Sequence, residues 1–119
     1  MQRCLIIVDY QNDFVTGSLG FPGAELLDSL IAAKIQKYRA QDDIVAFTFD
    51  THGQDYLKTQ EGKKLAVPHC IEGTDGHELY GETAKQIQSN DKRFYKHAFG
   101  SDELYAYLKA TPFERIEIV

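Results

Sequence analysis

Asp50 and His52 stand two residues apart, directly after the apolar run Ile44-Val45-Ala46-Phe47-Thr48-Phe49. On an extended backbone, residues i and i+2 project to the same side. A carboxylate and an imidazole leaving a strand together are common ligands for zinc, manganese or iron. Glu61 lies nine residues after His52, and His69 eight beyond that. A loop can gather all four. A plainer reading stands beside this one, in which Asp50 caps a turn and the histidines are ordinary surface groups. Cys70 is a further thiolate candidate, ranked below Glu61. A Cys70–His69 dyad is disfavoured, because neighbours on an extended chain point opposite ways. His77 and His97 are expected at the surface.

Asp9 ends another apolar run, Cys4-Leu5-Ile6-Ile7-Val8. Burying a carboxylate without a partner is costly, so Asp9 must be paired, hydrogen-bonded or used. Lys96 closes the stretch Phe94-Tyr95-Lys96. Beside Asp9, a partly desolvated lysine would make a charged pair that stabilises a developing oxyanion or tunes a nucleophile. Alone, it would extend into solvent. Phe14 leads into a loop holding Gly17, Gly20, Pro22 and Gly23. It either lines a pocket there or packs under the loop.

These side chains need elements that bring their ends together. Residues 4–14, apolar up to Asp9, and residues 44–49 read as buried parallel strands. Between them, residues 24–40 read as a helix with Leu27, Leu30, Ile31, Ile35 and Tyr38 inward. Lys34 interrupts that stripe and is expected to carry its charge to water. Strand, helix, strand makes a right-handed βαβ unit. Residues 53–78 form a long loop with little periodicity, and loops of that length are usually functional. Residues 79–89 read as a weaker helix, with Leu79, Ala84 and Ile87 as its apolar positions. A short strand covers 94–96. Ser101 caps a third helix with Leu104, Tyr105 and Leu108 on one face, and 115–119 is the last strand. The class is α/β, a parallel sheet with crossover helices. In such sheets ligands bind beyond the carboxyl ends of the strands, where Asp9, Asp50 and Lys96 all stand. The alternation predicts another helix after the last strand, so the chain reads as incomplete.

Composition bounds the function. With 119 residues, 43% hydrophobic and 26% charged, the chain is ordinary globular material for one small domain. Eighteen acidic residues against thirteen basic ones give a net charge of -5 and no basic stripe, which argues against nucleic acid. No stretch approaches the ~18 apolar residues of a membrane span, and no signal peptide is visible. The default compartment is the cytoplasm. Two cysteines make no disulfide framework. Cys4 reads as a small buried hydrophobe.

Together these segments resemble the isochorismatase-like cysteine hydrolases, and the nicotinamidases most closely. Leu5-Ile6-Ile7-Val8-Asp9-Tyr10-Gln11-Asn12-Asp13-Phe14 is similar to the family's opening strand, and Phe49-Asp50-Thr51-His52 to the nicotinamidase metal motif. Val67-Pro68-His69-Cys70-Ile71-Glu72-Gly73-Thr74 resembles the segment with the last metal histidine, and Phe94-Tyr95-Lys96 the strand with the catalytic lysine. The resemblance implies a three-layer α/β/α fold. It makes Asp9 the general base and Lys96 its partner. Asp50, His52 and His69 become ligands of a divalent metal, zinc first, with manganese or iron as alternatives. Glu61 fits the remaining ligand, and Phe14 an aromatic lining the substrate ring. The implied reaction is hydrolysis of nicotinamide, or a pyrazinamide-like small amide, to the acid and ammonia.

The family's nucleophile is a cysteine at a helix start just after the strand equivalent to residues 116–119. Neither Cys4 nor Cys70 matches it. Residues 1–119 therefore read as the N-terminal part of a single hydrolase domain, with an apolar edge and face that favour a homo-oligomer. Two alternatives are a catalytically incomplete metal-binding half-domain and a phosphoacceptor receiver domain. Against the receiver, Asp9 has no adjacent acidic partner and Lys96 is followed by His97 rather than proline.

Overall fold

The computed structural model describes residues 2–119. In chain order the elements are β1 (Arg3–Val8), α1 (Asn12–Val15), α2 (Asp28–Ala40), β2 (Ile44–Asp50), α3 (Gln60–Lys64), α4 (Gly81–Gln86), β3 (Lys92–Lys96), α5 (Asp102–Ala110) and β4 (Arg115–Ile118). The four strands form one parallel sheet in the order β3-β2-β1-β4. Cys4 through Ile7 and Val45 through Phe49 are buried on both faces. That is why β1 and β2 read as continuous apolar runs. The strand order also separates this chain from a receiver domain, whose flavodoxin-like order sets the third strand beside the first.

Alternation along the strands sorts the core into two layers. Leu5, Ile7, Val45, Phe47 and Phe49 pack under Ile31, Ile35 and Tyr38 of α2, with Ala84 of α4 and Ile87 against them. Cys4, Ile6, Ala46 and Phe94 face the other way, under Leu104, Tyr107 and Leu108 of α5. The chain runs outward from β1 to β3 and then crosses back to β4. Right-handed crossovers must then put α5 on the opposite face from α2 and α4. The result is the expected three-layer α/β fold.

Several expectations are corrected. The first strand does not run to Phe14: it ends at Val8, where Asp9 turns left-handed, and Asn12–Val15 form α1. Residues 24–27 are a 3-10 turn, and the α-helix proper begins at Asp28. Leu27 and Leu30 are 47% and 66% exposed, not inward. They overhang the β4 side of the sheet, where their apolar neighbours in a shallow depression are Ile31 and Val119. Lys34 does not carry its charge to open water, because its Nζ sits 2.5 Å from Glu117 on β4. Tyr105 is 66% exposed, and Tyr107 takes the inward place against Phe94. Residues 53–78 are not featureless, since α3 and two 3-10 turns lie within them. Ser101 does cap α5, accepting from the Leu104 amide at 3.1 Å.

Three carboxylates tie separate elements together, Asp43 to β1, Asp28 to α4 and Glu117 to α2. The Arg3 amide, and then its guanidinium, hold Asp43 below the usual carboxylate range. Hydrogen bonds from Lys34 and Tyr38 do the same for Glu117. Asp28 is pushed up by burial, but the Thr83 and Glu82 amides at the start of α4 outweigh that and leave it lowered. A carboxylate with a lowered folded-state pKa stabilises the fold above its unfolded value of about 4, and that contribution is lost as pH falls through the folded value. The midpoint of thermal unfolding should therefore be flat near neutrality and drop below about pH 4. An unchanged midpoint at pH 3 would contradict these three linkages.

Candidate active site

The carboxyl ends of β1, β2 and β3 stand side by side, with Asp50 level with Lys96 in the register. Asp9 follows β1 with a left-handed backbone, φ 52°. A non-glycine residue there is strained and needs outside support. Thr48 on β2 supplies it. The Asp9 amide donates to the Thr48 carbonyl at 3.2 Å and to its Oγ1 at 3.1 Å. The Thr48 hydroxyl donates back to Asp9 Oδ1 at 2.5 Å. The other oxygen, Oδ2, accepts from Lys96 Nζ at 2.7 Å. Lys96 is buried and also donates to the Phe99 carbonyl at 3.2 Å. A carboxylate and an amine are thus fixed together in a mostly dry setting. Spacing held a signal for Thr48 that was passed over, because it shares one side of β2 with Asp50.

Asp50, His52 and His69 present their ligand atoms within 4.8 Å of one another, and all three are buried. Asp50 Oδ2 lies 3.1 Å from His52 Nε2 and 3.2 Å from His69 Nε2. Glu61, from α3, stands at the margin of the cluster, with Oε2 3.4 Å and 3.7 Å from the same two nitrogens. The His69 ring is set from behind: its Nδ1 donates to the Val67 carbonyl at 2.7 Å. That leaves Nε2 free to offer a lone pair, the usual arrangement behind a metal-bound histidine. The Tyr56 ring meets both imidazoles edge-on, at 4.8 Å and 5.1 Å. One carboxylate and two imidazoles that converge, with a second carboxylate at their margin, are a suitable donor set for a divalent cation, zinc among them.

Gln11 was missed because it works on a backbone 39 residues away. It is fully buried. Its side-chain amide accepts from the Asp50 N–H at 2.8 Å, and donates to the Asp50 carbonyl at 2.9 Å and the His77 carbonyl at 2.8 Å. The end of β2 is thereby held by a side chain doing a strand's work. His77 is buried rather than exposed as expected. Its Nε2 is 2.9 Å from the Thr51 hydroxyl, and its ring lies against Phe49 and Tyr95. His97 is at the surface.

A cavity of about 240 Å³ opens between the two groups. Asp9 and Lys96 line one side, Asp50, Glu61 and His69 another, and Phe14, Leu19, Leu65 and Phe99 the apolar remainder. Phe14 is half-buried, with its ring 5.5 Å from that of His69. This volume is below the ~300 Å³ at which drug-sized sites begin, so it suits a small ligand. A larger, open cleft of about 510 Å³ lies on the far side of Glu61, Leu65 and Phe99, over His52 and His97. Both cysteines are free and buried. Burial raises the Cys4 thiol to about 11. Burial first, and then the nearby Asp50, Asp13 and Asp9, push the Cys70 thiol up. Neither is a ready thiolate.

A family model described as the isochorismatase domain matches residues 3–119. The nicotinamidase/pyrazinamidase of Mycobacterium tuberculosis is 33% identical over 101 residues, covering 82% of this chain and 53% of that protein. The chain spans about half the length of the curated relatives it matches. Among solved structures, nicotinamidase/pyrazinamidase PncA of Bacillus subtilis has a TM-score of 0.84 at 29% identity, covering all of this chain and 70% of that one. The pyrazinamidase of Pyrococcus horikoshii, solved in complex with zinc, shares the fold with a TM-score of 0.78 at 22% identity, covering 99% of this chain and 69% of that one.

Proposed function

The chain belongs to the isochorismatase family, and from that premise we propose that it carries the general base, its lysine partner and the metal centre of a nicotinamidase-type amidohydrolase. The substrate is nicotinamide or a similar small aromatic amide, and the products are the acid and ammonia. The observation that carries this reading is that the Asp9–Lys96 pair and Asp50, Glu61 and His69 line one small cavity with apolar residues between them, while His52 closes the metal cluster from behind Asp50 and His69. The activity as proposed is that of the whole protein.

In this reading Phe14 packs against the substrate ring and Lys96 faces the carboxamide. Zinc is the first candidate for Asp50, His52, His69 and Glu61, with manganese or iron as alternatives. Bound there, the metal supplies a Lewis acid for the ring nitrogen, which contributes by orientation. Asp9 takes the proton of a thiol nucleophile, and the thiolate attacks the carboxamide carbon. Lys96 stabilises the oxyanion that develops. Asp9 returns the proton to the leaving amine, and ammonia departs. Asp9 then draws a proton from water, which cleaves the thioester and regenerates the thiol.

Cys4 and Cys70, buried and protonated, are not that thiol. The carboxyl end of β4 is the fitting position, because the Val8 amide donates to the Val119 carbonyl at 3.0 Å, one residue before Asp9.

The direct test is to incubate the full-length, zinc-loaded protein with nicotinamide and follow both products. Ammonia and nicotinate should appear in equal amounts, and a chelator should stop both. Metal-dependent binding of nicotinamide without ammonia release would favour the catalytically incomplete alternative. No reaction and no binding with nicotinamide or pyrazinamide would overturn the substrate class.

A further inference from the structure

Asp13 belongs to neither group of the site, yet its carboxylate is committed to it. Oδ2 accepts from the Cys70 amide at 2.8 Å, across 57 residues of chain. Oδ1 faces the Ser18 amide at 3.4 Å. Its surroundings are built to receive it. An added Cβ on Gly76 would collide with Oδ2, and one on Gly17 with Oδ1. Neither glycine has a positive φ; at Gly76 only the carboxylate stands in the way of a side chain, and at Gly17 the Asp13 Cα stands there as well.

Cys70 is the reason this bond matters. It has a left-handed backbone, φ 49°, unusual for a residue with a Cβ. Such a conformation persists only where the surroundings over-determine it. Both ends of the residue are tied. Its amide goes to Asp13, and its carbonyl accepts from the His52 amide at 3.0 Å. His69 immediately precedes it. One residue therefore joins the two ligand histidines: the peptide unit after His69 is held by Asp13 from outside the cluster, and the next unit accepts from His52. Ser18 reinforces the same turn, its hydroxyl donating to the Pro68 carbonyl at 2.9 Å.

We propose that Asp13 is a positioning residue for the metal centre, fixing the strained Cys70 backbone that sets His69 against His52. The inference rests on the metal reading of the cluster given above. It assigns Asp13 a role in metal affinity that requires no contact with the metal, comparable to the outer-shell partners that orient histidine ligands.

Zinc affinity, measured by competition with a chromophoric chelator on the purified protein, tests this without reference to turnover. Asp13→Ala should weaken zinc binding by about 10- to 100-fold, the usual effect of losing an outer-shell partner. Asp13→Asn keeps a carbonyl oxygen for the Cys70 amide and should stay within about threefold of the parent, well short of that loss. Wild-type affinity in a folded Asp13→Ala protein would overturn the proposal. So would Asp13→Asn binding as weakly as Asp13→Ala, since charge rather than the hydrogen bond would then be at work. If Asp13→Ala fails to fold, Gly76→Ala becomes the deciding variant, because its methyl group drives the carboxylate from its seat. Weakened zinc binding supports the role, and unchanged binding refutes it. A parent protein that takes up no zinc would instead sink the metal reading itself.

Discussion

Asp9→Asn should lower turnover of the full-length protein by about a thousandfold, within the usual range for loss of a general base, while leaving zinc content unchanged. The asparagine is nearly isosteric, and its oxygen can still accept from Lys96 or from the Thr48 hydroxyl. What it cannot do is take a proton from a thiol. Asp9 is absent from the metal cluster, so zinc uptake gives a control for folding. Some loss of stability is expected too, because removing one charge of a buried pair strands the other. Turnover within tenfold of the parent, measured by ammonia release at saturating nicotinamide, would remove Asp9 as the base.

His52→Ala should weaken zinc binding by more than about 100-fold, beyond the cost of an outer-shell change, and should weaken nicotinamide binding with it. His52 Nε2 is within 3.1 Å of Asp50 and 3.4 Å of Glu61, so its loss leaves two carboxylates facing one remaining imidazole. Binding of metal and ring should fall together, because in the proposed reading the ring is oriented by the metal that His52 helps to hold. Metal analysis after dialysis, with nicotinamide titration in parallel, separates the outcomes. Full zinc occupancy in His52→Ala would strike it from the ligand set. Lost zinc with unchanged nicotinamide affinity would detach the ring from the metal.

The parts of the fold legible in the sequence are those where burial is two-sided. Cys4 to Ile7 are apolar throughout, and Val45 to Phe49 are apolar except for Thr48, because helices cover both faces. The Asp50–His52 pair is legible for a related reason, since a two-residue step on an extended chain fixes a common direction. Leu27 and Leu30 were misjudged because helical period gives the width of an apolar stripe but not how far the sheet beneath it extends. His77 was misjudged because its burial depends on the ring stack with Phe49 and Tyr95, which the loop brings together from distant positions. Gln11 and Asp13 carry the same lesson. Each binds a backbone group of a remote residue, Asp50 or Cys70, and backbone partners leave no mark in side-chain spacing.

The central claim is that substrate ring and metal meet in the cavity between Asp9 and His69. Cobalt(II) substituted for zinc gives visible absorption bands that respond to a change of ligand. Titrating nicotinamide into the cobalt-loaded protein tests the claim without requiring turnover. A saturable change in those bands, abolished in His52→Ala, is the result expected. Bands that stay fixed while nicotinamide demonstrably binds would mean that the ring sits away from the metal, and the proposed role of the Asp50–His52–Glu61–His69 cluster would be wrong.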